Sequence, residues 1–226
     1  TQMYAQGLTP NPCVECNRSV KFDHFINQAK KLNCDKVATG HYAKIIKKND
    51  NHELHKADYL DKDQSYVLHM LKSSDLENIT FPLGEISKPD VRQIAARIGL
   101  KTAFKKDSQD ICFVGKKDYR SFVEKRIDLT SPGEIFDIEG NKVGDHNGIH
   151  EFTVGQRKGL PGGYGSPRYV TKINVQNKNV TIGERNDLLV SSFIVEELSC
   201  VNDLEYKNLT IQTRYNSEDL PCEIKK

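Results

Sequence analysis

The stretch KVATGHYAKII, residues 36–46, decides the fold class of this chain. Its apolar run over residues 37–39 predicts a short buried strand, which ends where Gly40 lets the chain turn outward through His41. Apolar side chains recur at helical spacing just before it, over residues 22–33. A helix, a strand and a glycine turn in this order predict an α/β unit whose ligands bind at the carboxyl end of the strand.

Further elements follow along the chain. Residues 48–58 are polar and predict a loop or hairpin, and residues 61–71 become helical towards their end. The stretch SKPDVRQIAARIGL predicts a helix. Ser87 can cap its start, Asp90 can complete the capping box three residues later, and Gly99 ends the helix. We expect its apolar stripe to face the core; the stripe is formed by Val91, Ile94, Ala95 and Ile98.

Near residue 130 the sequence changes character. It becomes rich in glycine, with short strand-like pieces between turns. Residues 169–183 predict two strands joined through 177–179, and residues 209–224 predict another pair. A short strand is also predicted around residues 111–114. The chain therefore predicts an α/β region first and a mostly β region after it.

The composition excludes several classes of protein. The 226 residues carry a formal net charge of only +2, so binding to nucleic acid requires a local basic patch. No apolar run approaches the roughly 18 residues that span a bilayer, and no export signal opens the chain. Six cysteines are too few for a disulfide scaffold, so we expect a reducing, cytoplasmic or organellar compartment and no membrane.

Two cysteines stand three residues apart in NPCVECNRSVKF, residues 11–22. A structural zinc site needs four ligands, and no second close pair accompanies Cys13 and Cys16. A thiol redox pair is favoured at the start of a helix, and Cys16 does precede one. Small buried cysteines are also common. From these residues alone, zinc binding, redox chemistry and a structural role all stay open.

Other stretches are equally ambiguous when taken singly. Cys112 lies between two apolar residues, as in a buried strand, but nearby lysines would favour an exposed and partly ionised thiol. Arg157 and Lys158 in a glycine loop suit contact with a phosphate backbone, or form a plain exposed loop. Arg214 and Tyr215 could hold a phosphate and stack on a base, or lie on a strand face.

Taken together, seven segments resemble the tRNA-specific 2-thiouridylase family, which installs 2-thiouridine at the wobble position of tRNA. The resemblance covers nearly the whole chain, and the co-occurrence of the segments in one order is highly specific. The segments are TPNPCVECNRSVKF (9–22), ATGHYA (38–43), DKDQSYVL (61–68), FPLGEISKPDVRQIA (81–95), KKDSQDICFVG (105–115), GQRKGL (155–160) and TRYNSEDLPC (213–222).

The resemblance implies a tRNA-uridine 2-sulfurtransferase. It implies that ATP, with Mg²⁺, adenylates O2 of the wobble uridine (U34), and that a persulfide then delivers sulfur to C2. By position, Cys112 matches the cysteine that carries the persulfide and Cys16 matches its partner nucleophile. The partner either releases sulfide by forming a disulfide or assists the transfer. The implied partners are tRNA, through its anticodon region, and a persulfide sulfur-donor protein, with the enzyme a monomer.

The resemblance also implies a set of binding residues. Gly40 matches a nucleotide-contacting glycine. Some family members carry Asp where Cys13 stands, as a proposed acid/base group, so the general base of this chain stays open. The positions matching tRNA contacts are Asn11, Pro12, Cys13, His41, Lys62, Asp63, Gln64, Arg214 and Tyr215, of which the first three face the target base.

The fold implied by the resemblance has three parts. They are the later part of an adenylating, PP-loop ATPase-like α/β domain (1–118), a central β-rich tRNA-binding domain (119–185) and the start of a β-barrel domain (186–226). The family's N-terminal phosphate-binding loop, Ser-Gly-Gly-x-Asp-Ser, has no match, so we expect a fragment that is inactive alone. The rival interpretations are a non-catalytic RNA-binding fragment and a redox or zinc module built on Cys13 and Cys16.

Overall fold

The structure is a computed structural model that describes residues 2–105, 112, 119–126, 131–200, 208–215 and 217–225. Internal packing divides the chain into two compact units. The β unit comprises residues 1–11 and 108–195, and the α/β unit comprises residues 12–107 and 196–226. These units are defined by packing rather than by sequence order, so the predicted domain limits at residues 118 and 185 stay predictions.

The regular elements are short. The helices are α1 (Gln2–Ala5), α2 (Pro12–Glu15), a π-helix (Cys16–Asp23), α3 (His24–Lys31), α4 (Ser73–Leu76), α5 (Lys88–Arg97) and α6 (Tyr119–Glu124). The strands are β1 (Val37–Ala38), β2 (Ala43–Lys48), β3 (Asn51–Lys56), β4 (Ile79–Thr80), β5 (Gly133–Phe136), β6 (Lys142–His146), β7 (Tyr169–Asn174), β8 (Asn179–Gly183), β9 (Leu209–Ile211) and β10 (Leu220–Cys222). Among the described residues, no helix is both long and apolar enough to cross a membrane.

The α/β unit is built on a parallel pair of strands. Val37 of β1 lies opposite Ile79 of β4, and Ala38 lies opposite Thr80. Strands β2 and β3 form an antiparallel hairpin, so the predicted hairpin over 48–58 is confirmed, with its first strand beginning earlier. Strands β9 and β10 form a second antiparallel pair, also as predicted. The core of the unit includes Phe22, Ile26, Leu68, Leu71, Leu76 and Ile79.

The helix predicted over residues 22–33 begins ten residues too late. The helical run starts at Pro12, because a fixed φ angle suits proline to the first turn of a helix. The middle of this run is the π-helix. Its wider turn rotates the side chains that follow it about the helix axis, relative to a continuous α-helix. Phe22 and Ile26 are buried, whereas Phe25 is exposed. Beyond the end of α3, Asn33 adopts a left-handed conformation with φ 54°, a role usually taken by glycine.

The capped helix α5 is confirmed, but its predicted burial is wrong. Ser87 Oγ accepts a hydrogen bond from the Asp90 amide at 3.3 Å, and Gly99 ends the helix with φ 75°. Ile94 and Ile98 are nevertheless 43% and 64% exposed. Caps and stops depend on neighbouring residues, whereas burial of a stripe requires another element to pack on it, and the described residues supply none for these two side chains.

The β unit contains a four-stranded sheet with the order β6-β5-β8-β7, in which only β5 and β8 run parallel. The predicted strand pair over 169–183 is confirmed as β7 and β8. Ile135, Phe152, Val170, Val180 and Ile182 form its core. Within the described ranges the strands form no closed barrel. The α/β region and the β-rich region predicted from the sequence are both present. The strand predicted at 111–114 lies outside the described residues, apart from Cys112.

Candidate functional site

Cys16 is the first residue of the π-helix in the α/β unit. Its side chain is half-buried, whereas that of Cys13, on the preceding helix α2, is exposed, and both are free of disulfides. The π-helical hydrogen bond runs from residue i to residue i+5, which places Lys21 about one turn beyond Cys16. Short π-helical segments are frequent at functional sites. The two cysteines therefore differ in exposure and in the helix that carries them.

His41 is held beneath this helix. It is only 8% exposed, and Lys21 Nζ donates a hydrogen bond to its Nε2 at 3.3 Å. The ring proton is therefore on Nδ1, which donates to the hydroxyl of Thr39 at 2.8 Å. Burial, followed by the nearby Lys21 charge, lowers the pKa of His41 to about 4. His41 is consequently a neutral imidazole that orients a cation, and its predicted contact with tRNA stays a prediction.

A buried amide fixes the same helix from its other side. The side chain of Asn17, next to Cys16, is 2% exposed, and its Nδ2 donates to the carbonyl oxygen of Val67 at 3.0 Å. Buried polar groups are nearly always paired in this way, because an unpaired one is costly. The bond ties the start of the π-helix to the 3-10 turn Ser65–Leu68.

Gly40 lies at the carboxyl end of β1, where the surrounding residues leave space for a side chain. It is exposed, and a β-carbon added there would approach only Leu83 Cδ1, at 3.7 Å, an ordinary contact distance. The fold therefore does not require glycine at this position. Since ligands of open α/β sheets bind at the carboxyl ends of strands, the exposed backbone here is available for close approach by a nucleotide.

Asp63 and Gln64 are engaged with the chain itself. Asp63 accepts hydrogen bonds from the Ala57 amide at 2.7 Å and from the Ser65 hydroxyl at 2.6 Å. Gln64 Oε1 accepts from the Tyr42 amide at 3.0 Å, while the Gln64 amide donates to the Tyr42 carbonyl at 2.7 Å. These bonds fasten the segment at residues 62–64 to the turn that carries Gly40 and His41. Contact of these side chains with tRNA stays a prediction.

An aromatic pair brings the last predicted segment to the same unit. The rings of Tyr66 and Tyr215 have centroids 6.4 Å apart in an edge-on arrangement, and the Tyr66 hydroxyl donates to the Thr213 carbonyl at 3.2 Å. Lys56 and Asp219 add an ion pair between the two hairpins. Arg214 is exposed and Tyr215 is 45% exposed. A cation and a ring are thus presented together on a loop anchored by Tyr66.

Contacts within the α/β unit therefore connect most of the predicted site residues. The unit contains Pro12 and Lys62, both half-buried, besides those already described. Asn11 and Cys112 belong to the β unit, and both are exposed. The exposure of Cys112 answers the question left open by its apolar neighbours. Its role and that of Asn11 stay predictions.

Sequence reasoning missed three residues that the geometry brings into the site: Lys21, Asn17 and Tyr66. In the sequence, Lys21 and Asn17 look like ordinary polar residues of a helix. Their roles depend on contacts with His41 and Val67, which are at least 20 positions away along the chain. Tyr66 offered a weak signal, since it stands two residues after Gln64, the last of the matched tRNA-contact positions in that segment. Buried polar and aromatic anchors of this kind are determined by tertiary contacts.

The described residues hold one grouping of three side chains with metal-ligand spacing. Glu124, His150 and Glu151 lie in the β unit, and their ligand atoms all fall within 4.8 Å of one another. Neither cysteine of the CxxC pair belongs to it. Among the residues that the structure describes, the zinc interpretation of Cys13 and Cys16 therefore gains no further ligands.

Comparisons with known proteins agree along the whole chain. A family model described as the tRNA methyl transferase HUP domain matches residues 1–116, and one described as the tRNA methyl transferase PRC-barrel domain matches residues 120–184. The tRNA-specific 2-thiouridylase MnmA of Chloroflexus aurantiacus is 43% identical over 226 residues, which cover 98% of this chain and 63% of that protein.

Relatives from other bacteria carry the same name. The tRNA-specific 2-thiouridylase MnmA of Leptospira interrogans is 42% identical over 99% of this chain and 60% of its own length. That of Rickettsia prowazekii is 41% identical over 97% of this chain and 62% of its own length. The chain thus spans less than two thirds of the length of these relatives. The domain models are described by methyl transfer, whereas these full relatives are named for thiolation.

Proposed function

The chain belongs to the tRNA-specific 2-thiouridylase family, and we propose that the full-length protein makes 2-thiouridine at the wobble uridine, U34, of tRNA. The observation that carries the proposal is Cys16, half-buried at the start of a π-helix. Lys21 fastens this helix to the turn that carries Gly40 and His41, and Asn17 fastens it to the 3-10 turn Ser65–Leu68. Sulfur transfer requires a nucleophilic thiol, and Cys16 can supply one.

In the proposed reaction ATP is the activating substrate. Transfer of its adenylyl group to O2 of the uridine releases pyrophosphate and makes that oxygen a leaving group. The exposed backbone at Gly40 supports nucleotide binding at this edge, with Mg²⁺ accompanying the phosphates. The buried, neutral His41 holds the Lys21 ammonium, whose charge would stabilise the negative charge that develops in adenylation and sulfur transfer.

Sulfur then comes from a persulfide on Cys112, supplied by a persulfide donor protein. The terminal sulfur attacks C2 of the uridine and AMP leaves. Attack by the Cys16 thiolate on the Cys112 sulfur releases the thiolated base and leaves a disulfide between the two cysteines, which a cellular thiol reductant reduces. If Cys16 attacks the persulfide first, the sulfide released attacks C2, and the same disulfide forms. Exposure of Cys112 and half-burial of Cys16 support these roles.

The proposed substrate surface includes the loop at Arg214 and Tyr215. An exposed guanidinium beside a half-exposed ring suits a phosphate and a base of RNA. We further propose that Lys62 adds positive charge next to it, that residues 11–13 face the target base, and that the full-length enzyme acts as a monomer in the cytoplasm or an organelle.

Cysteine variants of the full-length protein test the proposal. We expect Cys112→Ser and Cys16→Ser each to reduce thiolation by at least about a hundredfold while tRNA binding is retained. Cys34→Ser, which changes an exposed cysteine with no proposed role, is the matched control. Thiolation is measured by mass spectrometry of tRNA nucleosides, with ATP and a persulfide donor supplied.

The same variants separate the rival interpretations. Unchanged thiolation in Cys112→Ser would sink the persulfide role. Binding of tRNA with no thiolation by the wild type would favour a non-catalytic RNA-binding protein. Loss of activity in Cys13→Ser together with about one zinc per chain by metal analysis would favour a zinc module instead.

A further inference from the structure

A surface pocket of about 410 Å³ lies in the β unit, and Arg157, a candidate for phosphate contact from the sequence, lies in its lining. It is lined by residue 157 and by residues 160–168, and the charged side chains in this lining are Arg157 and Arg168. No acidic side chain lines it. Its volume lies within the usual range for small-ligand sites and is sufficient for one nucleotide.

Packing and hydrogen bonds fix part of the pocket lining in position. Leu160 and Tyr164 pack against the core of the β unit. The guanidinium of Arg168 lies 5.0 Å from the centre of the Tyr164 ring, and its Nη1 donates to Glu184 at 3.3 Å. Ser166 donates to the same carboxylate at 3.1 Å. The ring and the guanidinium are therefore held in place before any ligand binds, which reduces the entropy cost of binding.

Positive charge is also present at the pocket, and carboxylates of the described residues do not neutralise it. Arg157 and Lys158 are exposed, and among the described residues no carboxylate forms an ion pair with either. The loop leading to them is fixed by Gln156, whose Nε2 donates to the Lys158 carbonyl at 3.0 Å and whose Oε1 accepts from the Thr153 amide at 3.1 Å. The local charge around Arg157 and Lys158 is therefore positive.

Glycine backbone completes the lining. Gly163 and Gly165 have φ angles of 104° and 66°, and β-carbons added at Gly162, Gly163 or Gly165 would meet no atom within 4 Å. Within the described part of the chain, no hydrogen bond engages the amides of these three glycines. Backbone N–H groups exposed in such a loop, next to guanidinium groups, are suited to an anion.

We propose that this pocket binds one nucleotide of the bound tRNA, with Tyr164 contacting the base and Arg157 contacting a phosphate. This inference rests on the proposed function, because tRNA is the polyanion that the protein would hold. An aromatic face with an arginine beside it is how proteins hold an unpaired nucleotide. The pocket would give the β unit its own RNA contact, independent of the loop at Arg214.

The test uses full-length protein and unmodified tRNA. Ultraviolet crosslinking followed by mass spectrometry should place a nucleotide adduct on Tyr164. Arg157→Gln should weaken tRNA binding about fivefold and reduce the slope of log K against log salt by roughly 0.7 to 0.9, the value of one phosphate contact. Lys172→Gln removes one exposed charge from the same unit outside the pocket. It should leave the Tyr164 adduct in place and change the tRNA affinity and the salt slope less than Arg157→Gln does.

Tyrosine variants test the ring contact. Tyr164→Ala should weaken binding about fivefold or more, and Tyr164→Phe, which keeps the packing and the ring, should restore it. Equal loss in both variants, or equal affinities of Arg157→Gln and the wild type, would overturn the pocket proposal. Loss of the adduct on adding millimolar AMP, with tRNA still bound, would also overturn it, because the pocket would then take a free nucleotide.

The outcomes for pocket and reaction are distinct. If the wild type thiolates tRNA but its crosslinks lie only outside Tyr164, the proposed function is supported and the pocket is rejected. A Tyr164 adduct lost in Arg157→Gln, in a protein that binds tRNA without thiolating it, would support the pocket and reject the proposed function. No tRNA binding at all would reject both.

Discussion

The ammonium of Lys21 lies 3.3 Å from Nε2 of His41. The two residues belong to different elements, the π-helix and the turn after β1, so this contact joins the helix of Cys16 to the edge of the parallel strands. Because His41 is buried and neutral, it accepts the hydrogen bond without competing for the proton. A cation on the helix that begins at Cys16 is thereby fixed by a residue that carries no charge of its own.

The first prediction concerns the pH dependence of His41. Its pKa is about 4 in the folded protein and about 6.5 in an unfolded chain, so the unfolded state binds more protons between these values. Folding stability from this residue is therefore fully present above pH 6.5 and is lost as the pH falls towards 4, by about 3 kcal/mol. NMR titration of the ring should show His41 largely neutral at pH 5, with a midpoint near pH 4.

Variants isolate this effect from other groups. Burial also lowers the pKa of His146, so the wild type alone does not assign the slope. His41→Asn should reduce the fall in unfolding free energy between pH 6.5 and pH 4.5, and the exposed His24→Gln should not change it. Identical slopes in His41→Asn and the wild type would contradict the prediction.

Asn17 should be critical for the position of Cys16. Asn17→Ala removes the bond from the buried Asn17 side chain to the Val67 carbonyl, at a cost of about 1 to 3 kcal/mol in unfolding free energy. We also expect a lower kcat for thiolation with little change in tRNA affinity. Ser19→Ala, which removes an exposed hydroxyl bonded to the Glu15 carbonyl, is the control and should cost well under 1 kcal/mol. A kcat equal to that of wild type would contradict the positioning role.

Tyr66 should control tRNA affinity through Tyr215. A double-mutant cycle with Tyr66→Ala and Tyr215→Ala should give a coupling of about 0.5 to 1.5 kcal/mol in tRNA binding, the usual range for aromatic pairs. Tyr66→Phe keeps the ring and loses only the bond to Thr213, so it should cost less than Tyr66→Ala. Strictly additive losses would show that the two rings act separately.

Two glycines should respond in opposite ways to alanine. A β-carbon at Gly84 would lie 2.1 Å from the Ala43 carbonyl oxygen, so Gly84→Ala should destabilise the α/β unit by at least about 2 kcal/mol. Gly40→Ala meets only ordinary contacts and should leave the unfolding midpoint unchanged, yet raise KM for ATP. The unfolding midpoints and ATP kinetics of both variants provide the check. A destabilised Gly40→Ala protein would mean that this glycine serves the fold.

Local sequence signals proved sufficient for several elements. Ser87, Asp90 and Gly99 lie close together along the chain, so the start and stop of α5 follow from short-range hydrogen bonds and φ preferences. The hairpin of β7 and β8 is likewise predicted by its turn. The seven family segments identified the residues of the candidate site without locating them in space.

The rest depended on contacts distant in sequence. Nothing in the local pattern around Ile98 indicates that it is 64% exposed, since burial is decided by what packs on a helix. The helical spacing of apolar residues begins only at Phe22, so it gave no sign of the π-helix over Cys16–Asp23. His41 read as a surface histidine, and only its neighbours Phe22 and Phe81 reveal its burial.

The discontinuous make-up of the α/β unit has a consequence for synthesis. Residues 108–195, nearly ninety of them, are translated between the body of this unit and its final hairpin. At ordinary elongation rates the ribosome needs on the order of ten seconds for that stretch. Throughout this time the nascent chain presents Tyr66 without Tyr215, so the surface that holds Arg214 forms only after the intervening β unit has been synthesised.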